Sequence, residues 1–528
     1  MTLSFFKGPT FAAVQGAFLP AAEQGAAAAD QRLIEALADY IPHVMRLNGT
    51  PGLNLAVARR GRVIWEHGFG FADLAQRTPM TAATVAHSGS MAKVYTSVAA
   101  LQLVERGALQ LDAPINAYLT DFRIENPFGK RDITLEDLLT HRSGLNGNAA
   151  GATYRHPAPL KDHVREGYAK ETFRSYRGSW RKRWLGEVGG QFMYSNFGMA
   201  TVGYLVEIMN PERLSFSDYV YRNIIAPLGM TATQFPPVQA PPHVRDEIAA
   251  RYSTGYAMFG HVVLPTPTIY FGDFPAGTVV TTPGDHIRLI MALANQGRFG
   301  DCQLLEPQTV ANMLTPHTDV PTSVVTNEPV KFGLGLQVCA FDKPGFWFGH
   351  GGAHMWGWVN NFRAFPRLDF AYAVFTNHWT ILPARVAESL MIEDFIKTWI
   401  GNEIGGTPVD RSPAGAEWAW KTSYAIGVVF TEHLMGVLGI EEALPAGVVE
   451  AMAQDAKLYL EAANVGAGWD PGGFRAGMLD MANVPMTLEG IRAAVSSGQL
   501  RLTPQEFEKI GREFGLAGSP ILMFAAQT

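Results

Sequence analysis

Cysteine is almost missing from this chain of 528 residues: Cys302 and Cys339 stand alone, and neither belongs to a Cys-x-x-Cys pair. That excludes a zinc ribbon and a disulfide-stapled scaffold, and leaves one disulfide open without requiring it. The plain reading of both is as small buried apolar side chains. An excess of basic charge is missing as well, since 42 Lys+Arg against 48 Asp+Glu give a formal net charge of −6. Wholesale nucleic-acid binding, which needs a basic surface, is disfavoured. No run of 18 apolar residues occurs; the best candidate, Ala425 to Ile440, is broken by Thr431, Glu432 and His433, so no transmembrane segment is expected. Internal repeats are absent too. What is present is 47% hydrophobic and 17% charged residues, the composition of a globular protein with a large core.

The N-terminus is ambiguous. Lys7, the apolar stretch Phe11 to Leu19 and the alanines Ala26 to Ala29 resemble a weak export signal, but Gln15 and Pro20 interrupt its apolar centre. Residues 1–29 are therefore read as an export signal or a flexible N-terminus, with bacterial periplasm and cytoplasm both open. Beyond them, Leu53 to Ala58 and Arg62 to Trp65 flank a turn at Arg60-Gly61 and predict a β-hairpin. Met91 to Arg106, ending at Gly107, predicts a helix with one buried face. Short helices and loops fill 108–240, and strands are expected at Phe332 to Leu336, Phe346 to Phe348, Trp356 to Phe362 and Phe370 to Phe375. One sheet packed with helices accounts for this order. Composition shifts after Gly401, so residues 405–413 read as a linker and 414–528 as a helical C-terminal region, where Thr503-Pro504-Gln505-Glu506 has the cap, first-turn proline and N3 glutamate of a helix start.

The sharpest chemical signal is Ser90-Met91-Ala92-Lys93 at the predicted helix start. Three residues bring Lys93 one turn behind Ser90, where its ammonium can sit beside the hydroxyl and favour the alkoxide. Alone the pattern is common and would describe an exposed serine and lysine. It has company: Tyr194-Ser195-Asn196 about 100 residues on, and then His350-Gly351-Gly352 followed by Ala353. Three such motifs in this order resemble the serine β-lactamase and penicillin-binding protein superfamily, in its class C-like branch of D-peptidases, amidases and esterases. Further matches run along residues 30 to 400, among them Leu138 to Leu145, Pro227 to Met230, Ala276-Gly277 with Thr281-Thr282, and Phe332 to Gly335.

The resemblance implies an α/β (α+β) fold, an antiparallel sheet flanked by helices with an all-helical subdomain, over residues 30–404. It also implies that Ser90 forms an acyl-enzyme, assisted by Lys93 and Tyr194. In that branch the tyrosine is the usual proton acceptor, its phenol made acidic by the neighbouring lysine. Asn196 would orient Lys93 and the substrate amide; His350, Gly351 and Gly352 would form the far wall; the N–H groups of Ser90 and Ala353 would hold the oxyanion. No cofactor is implied, and a metal on His350 and His354 is disfavoured because the two glycines argue against a helix that would align them.

Substrate is less legible. True β-lactamases carry Lys-Thr-Gly at the third motif, so His350-Gly351 makes efficient β-lactam hydrolysis doubtful. A peptidase or amidase on short or unusual peptides leads, including acidic, D-residue-containing or non-ribosomal ones. A carboxylesterase or acyltransferase is the alternative, and a β-lactamase or a non-catalytic binding protein trails both. Residues 155 to 183 hold nine Lys/Arg. The bland reading of that stretch is a solvated insertion; the functional one is that Arg174, Arg177 and Arg181 line the cleft rim and attract a carboxylate. Trp347, Trp356 and Trp358 could wall an apolar subsite or simply pack in the core. Oligomeric state is not legible.

Overall fold

A computed structural model describes residues 21–129, 131–146, 158–174, 180–235, 246–259, 262–266, 271–320, 330–339, 346–354, 357–380, 471–484 and 488–513, with isolated positions between 417 and 428. Helix α1 (Ala21–Asn48) precedes the hairpin of β1 (Gly52–Arg59) and β2 (Arg62–Asp73), and β3 (Thr78–Pro79) follows. The helices that carry the site are α2 (Ala92–Glu105), α3 (Leu160–Ala169), α4 (Asn196–Met209) and α5 (Pro283–Ala294). Then come β4 (Thr318–Asp319), β5 (Val330–Phe332), β6 (Gln337–Cys339), β7 (Trp347–His354), β8 (Trp358–Phe365) and β9 (Phe370–Thr376).

These strands form one nine-stranded sheet in the order β4-β5-β6-β7-β8-β9-β1-β2-β3. Its pairings are antiparallel, with Leu53 opposite Thr376 and His350 opposite Phe362. The N-terminal hairpin thus inserts beside the last strand. It turns at Arg60 and Gly61, both at positive φ (52° and 70°), the geometry of a tight hairpin turn. The near-continuous apolar run of β1, broken only by Asn54, whose amide donates to Thr81 O and Thr84 O, follows from burial of both sheet faces. On one face Leu53, Leu55, Val57, Tyr372 and Val374 pack with Leu33, Leu37, Ile41 and Met45 of α1. Those α1 residues recur at helical spacing and form a single stripe. Asp30 bolts that helix down, since it receives both Arg59, at 2.7 Å, and Arg60 from the hairpin turn. On the other face Ala56, Phe348, Phe362 and Phe375 join the main core with α2, α4 and α5.

The hairpin, the strands near 347 and 370 and the antiparallel sheet flanked by helices match the expectation. Two local readings are corrected. Helix α2 is buried from Ala92 to Leu103 on all sides rather than on one face. The segment Phe332 to Leu336 is no strand: β5 ends at Phe332, and the next residues form a loop with Gly335 at φ 86°. The loop is there because Gly335 fits against α2, where a Cβ would lie 1.7 Å from Ser97 Oγ.

In the C-terminal region, Tyr424, Val428, Met481, Val484, Leu500, Leu502 and Phe507 form a separate apolar cluster. The predicted cap at Thr503 is present, with Thr503 and Glu506 exchanging main-chain-to-side-chain bonds at 2.9 and 3.3 Å before the helix Pro504–Glu513. The proposed linker 405–413 lies outside the described residues. Among the described residues no helix is long and apolar enough to cross a membrane.

The packing of Gly335 is open to test by substitution. Gly335→Ala adds an atom where none fits and fixes a left-handed residue, and is expected to destabilise by about 3 kcal/mol. Gly107→Ala, also left-handed (φ 71°) but with no atom within 4 Å, is the comparison, with backbone strain alone costing about 1 kcal/mol. Urea unfolding of both variants measures the difference.

Candidate active site

Ser90 sits in the single 3-10 turn Gly89–Met91 that leads into α2. Two glycines let β7 close on that turn. A Cβ at Gly89 would lie 2.7 Å from Ala353 N, and one at Gly352 only 1.9 Å from Ser88 O. Asn360 of β8 adds a bond from Nδ2 to His87 O at 2.6 Å. The serine turn is therefore stitched to the sheet, with the Ala353 N–H brought beside Gly89. This close approach is the physical reason for glycine at 352; at 351 a Cβ would meet no atom within 4 Å.

One helical turn on, Lys93 is wholly buried. Its Nζ lies 2.7 Å from Asn196 Oδ1, 2.8 Å from Ala276 O and 3.1 Å from Ser90 Oγ. Burial lowers its pKa to about 7, against the opposing pull of Asp273. A neutral amine at this place has two N–H groups for Asn196 and Ala276, and keeps its lone pair for the Ser90 hydroxyl. Asn196 opens α4, whose cap is Ser195: its Oγ accepts from Gly198 N at 3.0 Å and donates to Asn146 O at 3.2 Å.

Tyr194 reaches the same hydroxyl, but its charge balance is opposite to the expectation. Burial pushes the phenol well above its ordinary range, and the bond to Ser90 only partly offsets this. Lys93 Nζ lies over the Tyr194 ring, 4.8 Å from its centroid. Close to neutral pH the amine loses its proton far more readily than the phenol does.

A residue not singled out from sequence stands behind Tyr194. His141 is buried, its ring 4.5 Å from that of Tyr194. Its Nδ1 accepts from Ser195 N at 3.1 Å. Burial, then the charges of Lys93 and His350, hold its pKa well below normal, so it is neutral. The Leu138 to Leu145 block that contains it was the available signal, as Ala276-Gly277 was for the Ala276 carbonyl. His350 is neutral too: burial and then Lys93 lower it to about 3, and its Nδ1 faces Gly351 O. The third motif thus presents no cation.

The structure brings Ser90, Lys93, Tyr194, Asn196, His350, Gly352 and Ala353 to one place, with Gly351 in the same strand. The rim residues divide differently. Arg174 and Arg181 lie in the short paired strands Thr172–Arg174 and Trp180–Lys182, but their side chains, with all of Arg177 and Trp356 and the side chain of His354, fall outside the described residues. Arg183 corrects the reading of a wholly solvated stretch. It is 2% exposed, its guanidinium 3.9 Å from the Phe197 ring centroid and its Nε donating to Gly167 O at 2.9 Å. Lys161, Arg165 and Lys170 do face water in exposed ion pairs. Trp347 and Trp358 are core residues, the first beneath Arg363 at 4.2 Å and the second donating to Ser253 Oγ at 3.0 Å.

A family model described as Beta-lactamase matches residues 37–392. The chain belongs to the beta-lactamase family. This is a family of serine hydrolases. The chain is 27% identical over 303 residues to PbpX of Bacillus subtilis (strain 168), provisionally named a penicillin-binding protein, covering 56% of this chain and 63% of that one. It is 26% identical over 324 residues to an Escherichia coli O157:H7 protein provisionally named a D-alanyl-D-alanine carboxypeptidase, covering 55% and 68%. The match to human mitochondrial serine beta-lactamase-like protein LACTB is 33% over 115 residues, 22% of this chain and 21% of LACTB. Among the first curated relatives the match thus spans between a fifth and two thirds of their length. Among solved structures, D-amino acid amidase from Ochrobactrum anthropi SV3 superposes with a TM-score of 0.55 at 21% identity, covering 70% of this chain and 99% of that one. The octameric penicillin-binding protein homologue of Pyrococcus abyssi gives 0.54 at 21% identity, covering 65% and 73%. Both show the likeness of the β-lactamase-family fold.

The contact between Gly352 and the serine turn carries a prediction. Gly352→Ala forces β7 away from Ser88, and a displacement of about 1 Å costs on the order of 100-fold in kcat. Steady-state kinetics on any turned-over ester, beside an unchanged circular dichroism spectrum, measures it.

Proposed function

We propose that the chain cleaves amide bonds of short peptides or amino acid amides through an acyl-enzyme on Ser90. The observation that carries this is Lys93, buried and bonded at once to Ser90, Asn196 and Ala276. In the proposed reaction, neutral Lys93 accepts the Ser90 proton as Oγ attacks the carbonyl. Negative charge gathers on the carbonyl oxygen between the N–H groups of Ser90 and Ala353. The C–N bond then breaks as the Lys93 ammonium returns its proton to the departing nitrogen, which leaves Lys93 neutral again, while the Tyr194 phenol, kept protonated by burial, stays a hydrogen-bonding partner at Ser90. Water, deprotonated in turn by Lys93, releases the acid and restores Ser90.

An amide rather than an ester is favoured because the proton that Lys93 takes from Ser90 stays in a buried group facing that oxygen, held for the amine leaving group that needs it. The names of two similar proteins, a D-amino acid amidase and a provisional D-alanyl-D-alanine carboxypeptidase, support substrates with D-residues. The neutral His350 gives the site no fixed charge for a β-lactam carboxylate. A taste for acidic peptides rests on Arg174, Arg177 and Arg181; equal KM for acidic and neutral peptides after their joint replacement by Ala would remove it.

Mass spectrometry of products from mixed L- and D-amino acid amides, short peptides, p-nitrophenyl esters and a β-lactam identifies the bond. Cleavage of esters alone overturns the amidase reading. Ser90→Ala is expected to abolish turnover and labelling by a fluorophosphonate, and persistent labelling refutes the nucleophile. Because Lys93 must be neutral to act, kcat/KM should rise with pH through about 7 and level off above it. A profile flat from pH 5 to 9 contradicts Lys93 as the base.

A further inference from the structure

Lys93 donates to a turn headed by a carboxylate that takes no part in the reaction described above. Asp273 is 2% exposed and stands at the head of the 3-10 turn Phe274–Ala276, the turn whose last carbonyl accepts from Lys93 at 2.8 Å. The turn is fixed from both ends. Thr96 of α2 donates to Pro275 O at 2.6 Å, and Ala276 N donates to Asp273 O at 2.8 Å. The Asp273 carboxylate is gripped from α3, where His163 Nε2 lies 2.6 Å from its Oδ1. Gly272 makes that grip possible, since a Cβ there would lie 2.2 Å from His163 Nδ1. The His163 ring is seated in turn on Phe197 of α4 at 5.8 Å, the ring that also carries Arg183.

We infer that Asp273, anchored by His163, is a positioning residue that sets the protonation state of Lys93 and so links His163 of α3 and the buried Arg183 to the reaction. The inference rests on Lys93 acting as the base for Ser90. The groups that face Lys93 make the argument specific. From α2 and the serine turn it meets the Ser90 hydroxyl; from the 194–196 segment, the Tyr194 phenol and the Asn196 amide. From the turn after the short helix Leu135–Leu139 and from β7 it meets His141 and His350, both neutral through burial. Among these described neighbours the carboxylate of Asp273 is the one negative charge acting on Lys93, and it opposes the effect of burial. Asp273 also steadies the buried Arg183, whose pKa burial lowers and Asp273 raises. One carboxylate therefore favours the protonated forms of two buried side chains, Lys93 at the nucleophile and Arg183 against Phe197.

Removing the charge should leave burial unopposed, so that Lys93 loses its proton at lower pH. The readout is the second-order rate of Ser90 inactivation by a fluorophosphonate as a function of pH, on the full chain. Wild type is expected to show an ascending limb near pH 7. In Asp273→Asn the limb moves down by about one pH unit, the low end of the effect of a nearby opposite charge. Asp273→Glu, which keeps the charge, leaves it near the wild-type position. An Asp273→Asn limb that stays in place or moves up, with the rate reduced equally at all pH values, leaves Asp273 a structural role and overturns the inference. His163→Phe, which keeps a ring on Phe197 but removes the donor, also displaces the limb; an unmoved limb removes His163 from the assignment. Melting curves check folding, and Asp273→Ser is the second neutral variant if Asp273→Asn does not fold. A wild type without any limb, or labelling that survives Ser90→Ala, would instead bring down the assignment of Lys93 and Ser90 themselves.

Discussion

An amine with no exposed surface has to find its partners inside the protein, and much of this structure serves that need for Lys93. Its partners come from three stretches far apart in the chain: the serine turn, the start of α4 and the carbonyl of Ala276. An unmatched donor here would cost more than most single contacts supply. Helix α2 is accordingly enclosed on all sides, and the elements around it are held in place by small, local fits. Ser97 donates to the Lys93 carbonyl at 2.9 Å, Gly335 presses on Ser97, and Thr96 holds the turn that provides Ala276.

The sheet supplies the complementary constraint. β7 approaches the serine turn so closely that glycine is the residue that fits at 89 and at 352. The oxyanion donors proposed for the site are main-chain groups, so their placement depends on backbone packing rather than on side-chain identity. That is why the two glycines bear as directly on the chemistry as the nucleophile does. The same economy appears behind Tyr194, where one buried imidazole both packs against the phenol ring and accepts the Ser195 N–H.

Much of this was legible in the sequence, for definite reasons. The hairpin could be read because a two-residue turn and a largely apolar strand leave strong local marks. Ser90, Lys93, Tyr194 and His350 were found because motif order survives where overall identity is low. The Phe332 to Leu336 segment misled because its alternating glycines imitate a strand, while packing on α2 decides its shape. Arg183 reads like its solvated neighbours, and the ring of Phe197, the carbonyl of Gly167 and the field of Asp273 account for its burial. His163 and Asp273 are 110 residues apart in the chain with no motif to join them, so their bond could be seen only in three dimensions. The direction of the Tyr194 shift was missed for a related reason: proximity to a cation is visible in a motif, and desolvation is not.

The clasp of Asp30 by Arg59 and Arg60 also bears on how short this protein can become. Helix α1 seals one face of the sheet, and its anchoring carboxylate lies one residue beyond the stretch that resembles an export signal. A cut after Ala29 would leave Asp30 as the new first residue, its own ammonium placed to compete with the two arginines for that carboxylate. A cut even one residue later removes the anchor, loosening the cover over Leu53, Leu55 and Val57 and turning a sealed core face into a sticky one.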